Sequence, residues 1–155
     1  MSHANRILTS GLVIEVWVGR ITMEEVFDYV GRRWSDPNKS SERKIFVDIT
    51  RASFDPSIGE KEIQQIIDLY QHRRDKTLVT RIAIVAGNDF DRASLFGQLA
   101  EQGKLNVIVF NSISTACIWL GVKILEVREC LERAHAELLG SSPPSKSFGD
   151  EEARL

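Results

Sequence analysis

Asp48, Asp55 and Ser57 follow one another through the stretch "VDITRASFDPSIGE", and their spacing raises a specific chemical possibility. An apolar run ends in an acid, crosses a short polar loop and reaches Asp-Pro-Ser just ahead of a helix-like pattern. Ser57 suits two roles there. It can close a helix end, either in a capping box with Glu60 or beside Asp55 as N-cap with Pro56 at the first helical position. A cap of this kind stabilises by about 0.5–2 kcal/mol, which is reason enough for a small polar residue. The less favoured role is to take a phosphoryl group, adding roughly 1.5–2 negative charges beside a positive helix end, partly opposed by Asp55 and Glu60. Both readings stand on the residues alone.

Other constellations of reactive residues are missing from the sequence. His3, His72 and His135 lie far apart, without the cysteine or carboxylate spacing of a metal cluster. Cys117 sits between Ala116 and Ile118, beside Trp119 and Leu120, and reads as a small hydrophobe. With only Cys130 besides, the chain is expected to hold two reduced thiols in a reducing compartment. There is no Gly-x-Ser-x-Gly elbow, no Walker loop and no Gly-x-Gly-x-x-Gly. In "AGND", Asp89 and Asp91 would repel a phosphate, so helix capping is the better account. No cofactor or metal is called for, and an enzyme is not expected.

Twenty basic side chains against 22 acidic ones argue against a nucleic-acid binder working by bulk electrostatics. The cluster "QHRRDK" falls at a helix end, where cations complement the dipole. No apolar run approaches the roughly 20 residues that span a bilayer. The start "MSHANRILTSG" lacks an apolar core of signal-peptide length. A cytoplasmic protein without nucleic-acid binding or a membrane span is expected.

These residues need a scaffold, and the periodicities describe one. Leu12 to Val18 and Lys44 to Ile49 read as strands, with Ile7 to Thr9 as a shorter one before them. Thr22 and Glu25 have the spacing of a capping box, followed by Met23, Val26, Phe27, Val30 and Trp34 at helical intervals. A second helix starting near Asp55 to Ser57 carries Ile63, Ile66, Ile67 and Tyr70 on one face. Arg81 to Ala86 and Val107 to Phe110 are further strands, separated by a helix that Gly103 ends in a left-handed conformation. "NSISTACIWLG" is a short helix ending at Gly121, and Ile124, Val127, Leu131, Ala134 and Leu138 form a last amphipathic stripe. Strand and helix alternate, the pattern of an α/β protein with a mostly parallel sheet.

Four segments of this chain resemble the STAS superfamily, and within it the divergent SpoIIAA-like branch akin to anti-sigma-factor antagonists. They are "GLVIEVWVGRITMEEV", "KIFVDITRASFDPSIG", "TRIAIVAG" and "VIVFNSISTACIWLG". The resemblance covers roughly Ile7 to Val122. It implies a four- to five-stranded mixed sheet that begins with an antiparallel pair, covered by about four helices mainly on one side. The C-terminal amphipathic helix is then an addition. It also implies a serine that a partner kinase phosphorylates to break a protein–protein complex. By that likeness Asp48 is the acid at the strand end, Asp55 the acid before the phosphoacceptor, Ser57 the acceptor and Gly59 the glycine after it. Pro56 departs from the small residue usual in the family, and the spacing from the acid to the glycine is one residue longer.

The expectation is a non-enzymatic regulatory or protein-interaction domain, possible phosphorylation at Ser57 included, with an anti-sigma-factor-like kinase or another regulator as partner. In open α/β sheets the functional crevice lies beyond the carboxyl ends of the strands. That edge should gather Thr50, Arg51, Ser53, Asp55 and Ser57 with Asn88, Asp89, Asn111 and Ser112. The alternative is a small-molecule or lipid-binding domain with a pocket lined by Trp17, Phe27, Trp34 and Phe96. Residues 1–122 are read as the domain, 123–140 as the C-terminal helix and 141–155 as a disordered tail. The oligomeric state is left open, although the last helix could serve as an oligomerisation module.

Overall fold

A computed structural model describes residues 2–8, 11–35, 44–73 and 80–140, with side chains at 11–30, 44–72 and 80–140. The expected tail at 141–155 lies outside the described residues. The elements run β1 (Ser2–Leu8), β2 (Leu12–Ile21), α1 (Met23–Ser35), β3 (Lys44–Phe54), α2 (Glu60–Arg73), β4 (Arg81–Ala86), α3 (Phe90–Gln102), β5 (Val107–Phe110), α4 (Ile113–Leu120) and α5 (Ile124–Leu138). The five strands form one sheet in the order β1-β2-β3-β4-β5. β1 is antiparallel to β2, and β2 to β5 are parallel. The expected mixed sheet is therefore present, with its first strand longer than Ile7 to Thr9.

Successive parallel strands are added in one direction, so crossovers of one hand place α1, α2 and α3 on the same face. That face is built on Trp17, Ile49, Ile84 and Val107 of the sheet with Val26, Val30, Ile63, Ile67 and Ala100 of the helices. Trp17 meets Tyr29 of α1 edge-to-face, with ring centroids 5.4 Å apart, a geometry worth about 0.5–1.5 kcal/mol beyond area burial. After β5 the chain turns back, and α4 and α5 cover the opposite face. Leu12, Ile14, Val16 and Phe46 pack there against Ala116, Leu120, Val127 and Leu131. Three of the four helices expected for the domain thus lie on one face, and α4 with the added α5 covers the other. The stripe on α5 is spent inside the domain: Val127, Cys130, Leu131 and Ala134 are all buried.

Helix ends follow local chemistry. Thr22 and Glu25 form the expected capping box: Thr22 Oγ1 accepts the Glu25 N–H at 3.3 Å and Glu25 Oε1 accepts the Thr22 N–H at 3.2 Å. Gly121 ends α4 at φ 71°, with its N–H donating to Ile118 O and the Val122 N–H to Cys117 O, the Schellman arrangement. α3 closes by the same pair of bonds, but one residue later than expected. Lys104, at φ 62°, takes the left-handed position, and Gly103 keeps a φ of −84°. Arg81 donates to the Trp119 and Leu120 carbonyls and so satisfies the end of α4. No helix among the described residues is long and apolar enough to cross a membrane.

Candidate functional site

The site begins at an irregularity in β3. Pairing with β2 passes from Val16↔Asp48 directly to Val18↔Arg51, so Ile49 and Thr50 together oppose Trp17. This is a β-bulge, and it leaves a ladder amide to be satisfied elsewhere. Asp48 supplies the acceptor: its Oδ1 takes the Thr50 N–H at 2.8 Å. Pairing with β4 stops at Ile49↔Ala86, whereas β3 runs on beside β2 as far as Phe54↔Ile21. The strand expected to end at Ile49 therefore carries the loop well past the sheet.

That projecting segment would expose unpaired backbone toward β4, and α3 covers it. Asp89 Oδ2 accepts the Phe54 N–H at 2.7 Å. Arg92 donates to the Phe54 carbonyl at 3.0 Å and to the Asp55 carbonyl at 2.7 Å. On the other side the Asp55 N–H donates to Ile21 O at 2.8 Å. Asp89 was expected to cap its own helix. It holds the N-cap position of α3, but its side chain makes no capping bond and reaches across to β3 instead.

The loop then turns. Ile58 N–H donates to Asp55 O at 2.9 Å, and Asp55 Oδ1 accepts both the Ser57 N–H at 3.0 Å and the Ser57 hydroxyl at 2.7 Å. An Asp side chain receiving the amide two residues on is an Asx-turn. α2 starts only at Glu60, and its cap is Gly59, not Asp55 or Ser57. Gly59 O accepts the Ile63 N–H, and Glu62 Oε1 accepts the Gly59 N–H at 3.0 Å. Ile58 and Ile63, flanking this start, are both buried in one cluster, as a hydrophobic staple requires. The expectation of a cap at Ser57 is corrected: its hydroxyl is exposed and serves the turn.

Asp55 is held below the usual carboxylate range, first by the Ser57 N–H and then by the Ser57 hydroxyl. Partial desolvation opposes this, and the charges of Arg20 and Arg92 add to it. Arg20 Nη1 stands 3.9 Å from Asp55 Oδ2. Arg51, Ser53, Gly59, Asn88 and Asn111 are exposed, and Arg51 and Ser53 lie on the projecting part of β3. Ser112 caps α4, its Oγ accepting the Thr115 N–H at 3.4 Å.

Asp48 is different. Its side chain is 1 % exposed and points to the α5 face, where Oδ2 lies 3.2 Å from His135 Nε2. The approach lacks hydrogen-bond geometry, and among the described residues neither atom has a hydrogen-bond partner. Asp48 is thus interior, not an acid at the sheet edge. Burial lowers the His135 pKa from 6.5, with Arg51 acting in the same sense and Asp48 against them. The folded chain consequently binds fewer protons at His135 than the unfolded chain. Its stabilising share is complete above about pH 6.5 and is lost as pH falls through the lower folded value. Urea midpoints measured from pH 8 downward should fall for the wild type through this window and fall less for His135→Gln. Equal profiles would remove His135 from the account.

Between the sheet and α1 to α3 lies an apolar cavity of about 80 Å³, lined among others by Trp17, Tyr29, Ile49, Tyr70 and Phe96 with Glu15 at one wall. Of the expected lining, Trp17 and Phe96 are present; Phe27 is 40 % exposed, and the Trp34 side chain lies outside those described. Cys117 and Cys130 are buried thiols. Burial pushes the Cys117 thiol up despite Arg128 nearby, which suits packing and not nucleophilic attack.

No family model matches the chain, and no curated protein matches it. Solved structures do. An uncharacterized protein of the DUF3478 family from Shewanella loihica PV-4, described as having a SpoIIAA-like fold, aligns with a TM-score of 0.50 at 15% identity, over 77% of this chain and 92% of that one. The anti-sigma factor antagonist SpoIIAA in its unphosphorylated form aligns at 0.47 and 11% identity, over 76% and 94% of the two chains. The phosphorylated form of SpoIIAA, a Bacillus cell fate determinant, aligns at 0.46 and 12%, over 74% and 96%. With β1 antiparallel to a parallel run of four strands in sequence order and helices on both faces, this chain has a SpoIIAA-like fold.

Proposed function

We propose that the chain is a non-enzymatic regulatory domain that binds a protein partner through the surface around Asp55 to Gly59, and that phosphorylation of Ser57 switches this contact. The observation that carries the reading is the placement of Ser57. Its hydroxyl is exposed on an Asx-turn and is not committed to the start of α2. A kinase would transfer a phosphoryl group from a nucleoside triphosphate to Ser57 Oγ, and the hydroxyl proton points at Asp55 Oδ1 beforehand. The added charge then stands beside an ionised carboxylate and changes what a partner meets. The fold shared with an anti-sigma factor antagonist supports a regulatory role.

The test uses the intact chain in extract of its native cell with nucleoside triphosphate, read by intact mass, with Ser57→Ala as control. One added phosphate on the wild type and none on Ser57→Ala is expected. Ser57→Glu should weaken retention of the partner by about tenfold, or ~1.4 kcal/mol. An unmodified Ser57 together with unchanged retention by Ser57→Glu would end the proposal.

The cavity beneath α1 to α3 favours a second reading, a site for a small apolar molecule. At about 80 Å³ it is well below the roughly 150 Å³ that accepts benzene, so a lipid chain requires the helices to part from the sheet. Native mass spectrometry of the chain isolated from cells decides between them, because a clean apo mass counts against a retained ligand.

A further inference from the structure

We infer that Arg20 is the residue that receives the phosphate on Ser57, moving to it from Asp55; this rests on the reading of Ser57 as a switch. Two guanidinium groups stand near the turn, and their bonding separates their roles. Arg92 donates to the carbonyls of Phe54 and Asp55 and lies 3.9 Å from Asp89. It cannot turn toward a new anion without releasing the loop that presents Ser57. Among the described residues Arg20 makes only a long approach to Asp55 Oδ2, at 3.9 Å, and its side chain is 68% exposed. It is exposed at its head and fixed at its root: Arg20 pairs with Ser53 in the β2–β3 register, and its neighbour Ile21 accepts the Asp55 N–H.

Asp55 links the two sides of this exchange. With a free hydroxyl, Oδ1 accepts two hydrogen bonds from Ser57 while Oδ2 faces Arg20. A phosphoserine has no hydroxyl proton to donate, so Oδ1 keeps only the amide. The carboxylate then stands against an ester carrying roughly 1.5–2 negative charges. Repulsion drives the two anions apart, and the guanidinium is drawn to the group with more charge and better bidentate geometry. In the unmodified state Arg20 screens Asp55; in the modified state it covers the phosphate and leaves Asp55 exposed as an acid. A partner therefore meets a rearranged pair of charges, not merely an added one.

The experiment installs phosphoserine at position 57 during translation, without any kinase, and titrates the phosphate by phosphorus NMR at low ionic strength. Free phosphoserine loses its second proton near pH 6. With Arg20 in place that value should lie about half a unit below the value in Arg20→Ala and Arg20→Gln, as an exposed ion pair allows. Arg20→Lys should fall between, and the gap should shrink as salt is added. Coincident titrations of the Arg20 chain and both neutral variants overturn the inference. That result would leave open whether a kinase modifies Ser57, and failure of a kinase to act would leave the phosphate titration untouched.

Discussion

Asp48→Ala should lower the free energy of unfolding by about 3 kcal/mol. One contribution is the Thr50 N–H, which the β-bulge removes from the ladder and which Asp48 Oδ1 satisfies at 2.8 Å. A buried amide left without an acceptor costs about 1–3 kcal/mol. Another is the space left by a side chain that is 1 % exposed in a packed interior. Asp48→Asn keeps the volume and an oxygen able to accept from Thr50, and should cost about 1 kcal/mol, near the net worth of one hydrogen bond. Urea denaturation distinguishes these, with a shifted midpoint and an unchanged slope. A midpoint for Asp48→Ala equal to that of the wild type would mean that the bulge needs no support from this side chain.

Much of this scaffold is written in short-range pattern. Arg81–Ala86 and Val107–Phe110 match their expected bounds because each is a short apolar run between polar turns. Thr22 with Glu25, and Gly121 at φ 71°, are local devices whose chemistry is complete within a few residues. The strands that ran longer than expected did so for a non-local reason. β3 continues to Phe54 because β2 pairs with it past Gly19, and because Asp89 and Arg92 of α3 satisfy its far edge. The face chosen by α4 and α5 is likewise a matter of topology, and periodicity of a single helix carries no information about it.

The start of α2 illustrates why the site was only half legible. Three arrangements compete in "FDPSIGEKEI": Asp55 before Pro56, Ser57 with Glu60, and Gly59 with Glu62. All three satisfy the local rules for helix starts. The third prevails because Ile58 and Ile63 then flank the cap and both enter the core. His135 was missed as a partner of Asp48, although it lies four residues after Leu131 on the apolar stripe of α5. A histidine on such a stripe signals a buried contact, but its partner, on β3, can be named only once the face covered by α5 is known. Arg92 and Arg20 are unremarkable charges in sequence. Their division into a fixed anchor and an exposed head comes from which carbonyls the loop presents.

Gly87→Ala should cost about 2 kcal/mol, and the way it combines with Asp48→Ala shows what holds the sheet edge open. A Cβ on Gly87 would stand 2.8 Å from Thr50 O and 3.3 Å from Thr50 Cα. Both are backbone atoms, so no rotamer change relieves the contact, and β4 must draw away from β3 or the Thr50 peptide must shift. Overpacking of this kind costs about 1–3 kcal/mol. Gly97→Ala is the control: its Cβ would meet only the Val109 side chain, at 3.2 Å, which can adjust. Displacing Thr50 also spoils the bond that its N–H makes to Asp48. Gly87→Ala and Asp48→Ala therefore damage one shared peptide, and the double variant should be less destabilised than the sum of the singles by more than the ~0.5 kcal/mol scatter of independent sites. Simple additivity in urea unfolding would mean that the two residues act separately. Sub-additivity would make Thr50 the point where the interior acid, the bulge and the close approach of β4 meet, just before β3 leaves the sheet to present Ser57.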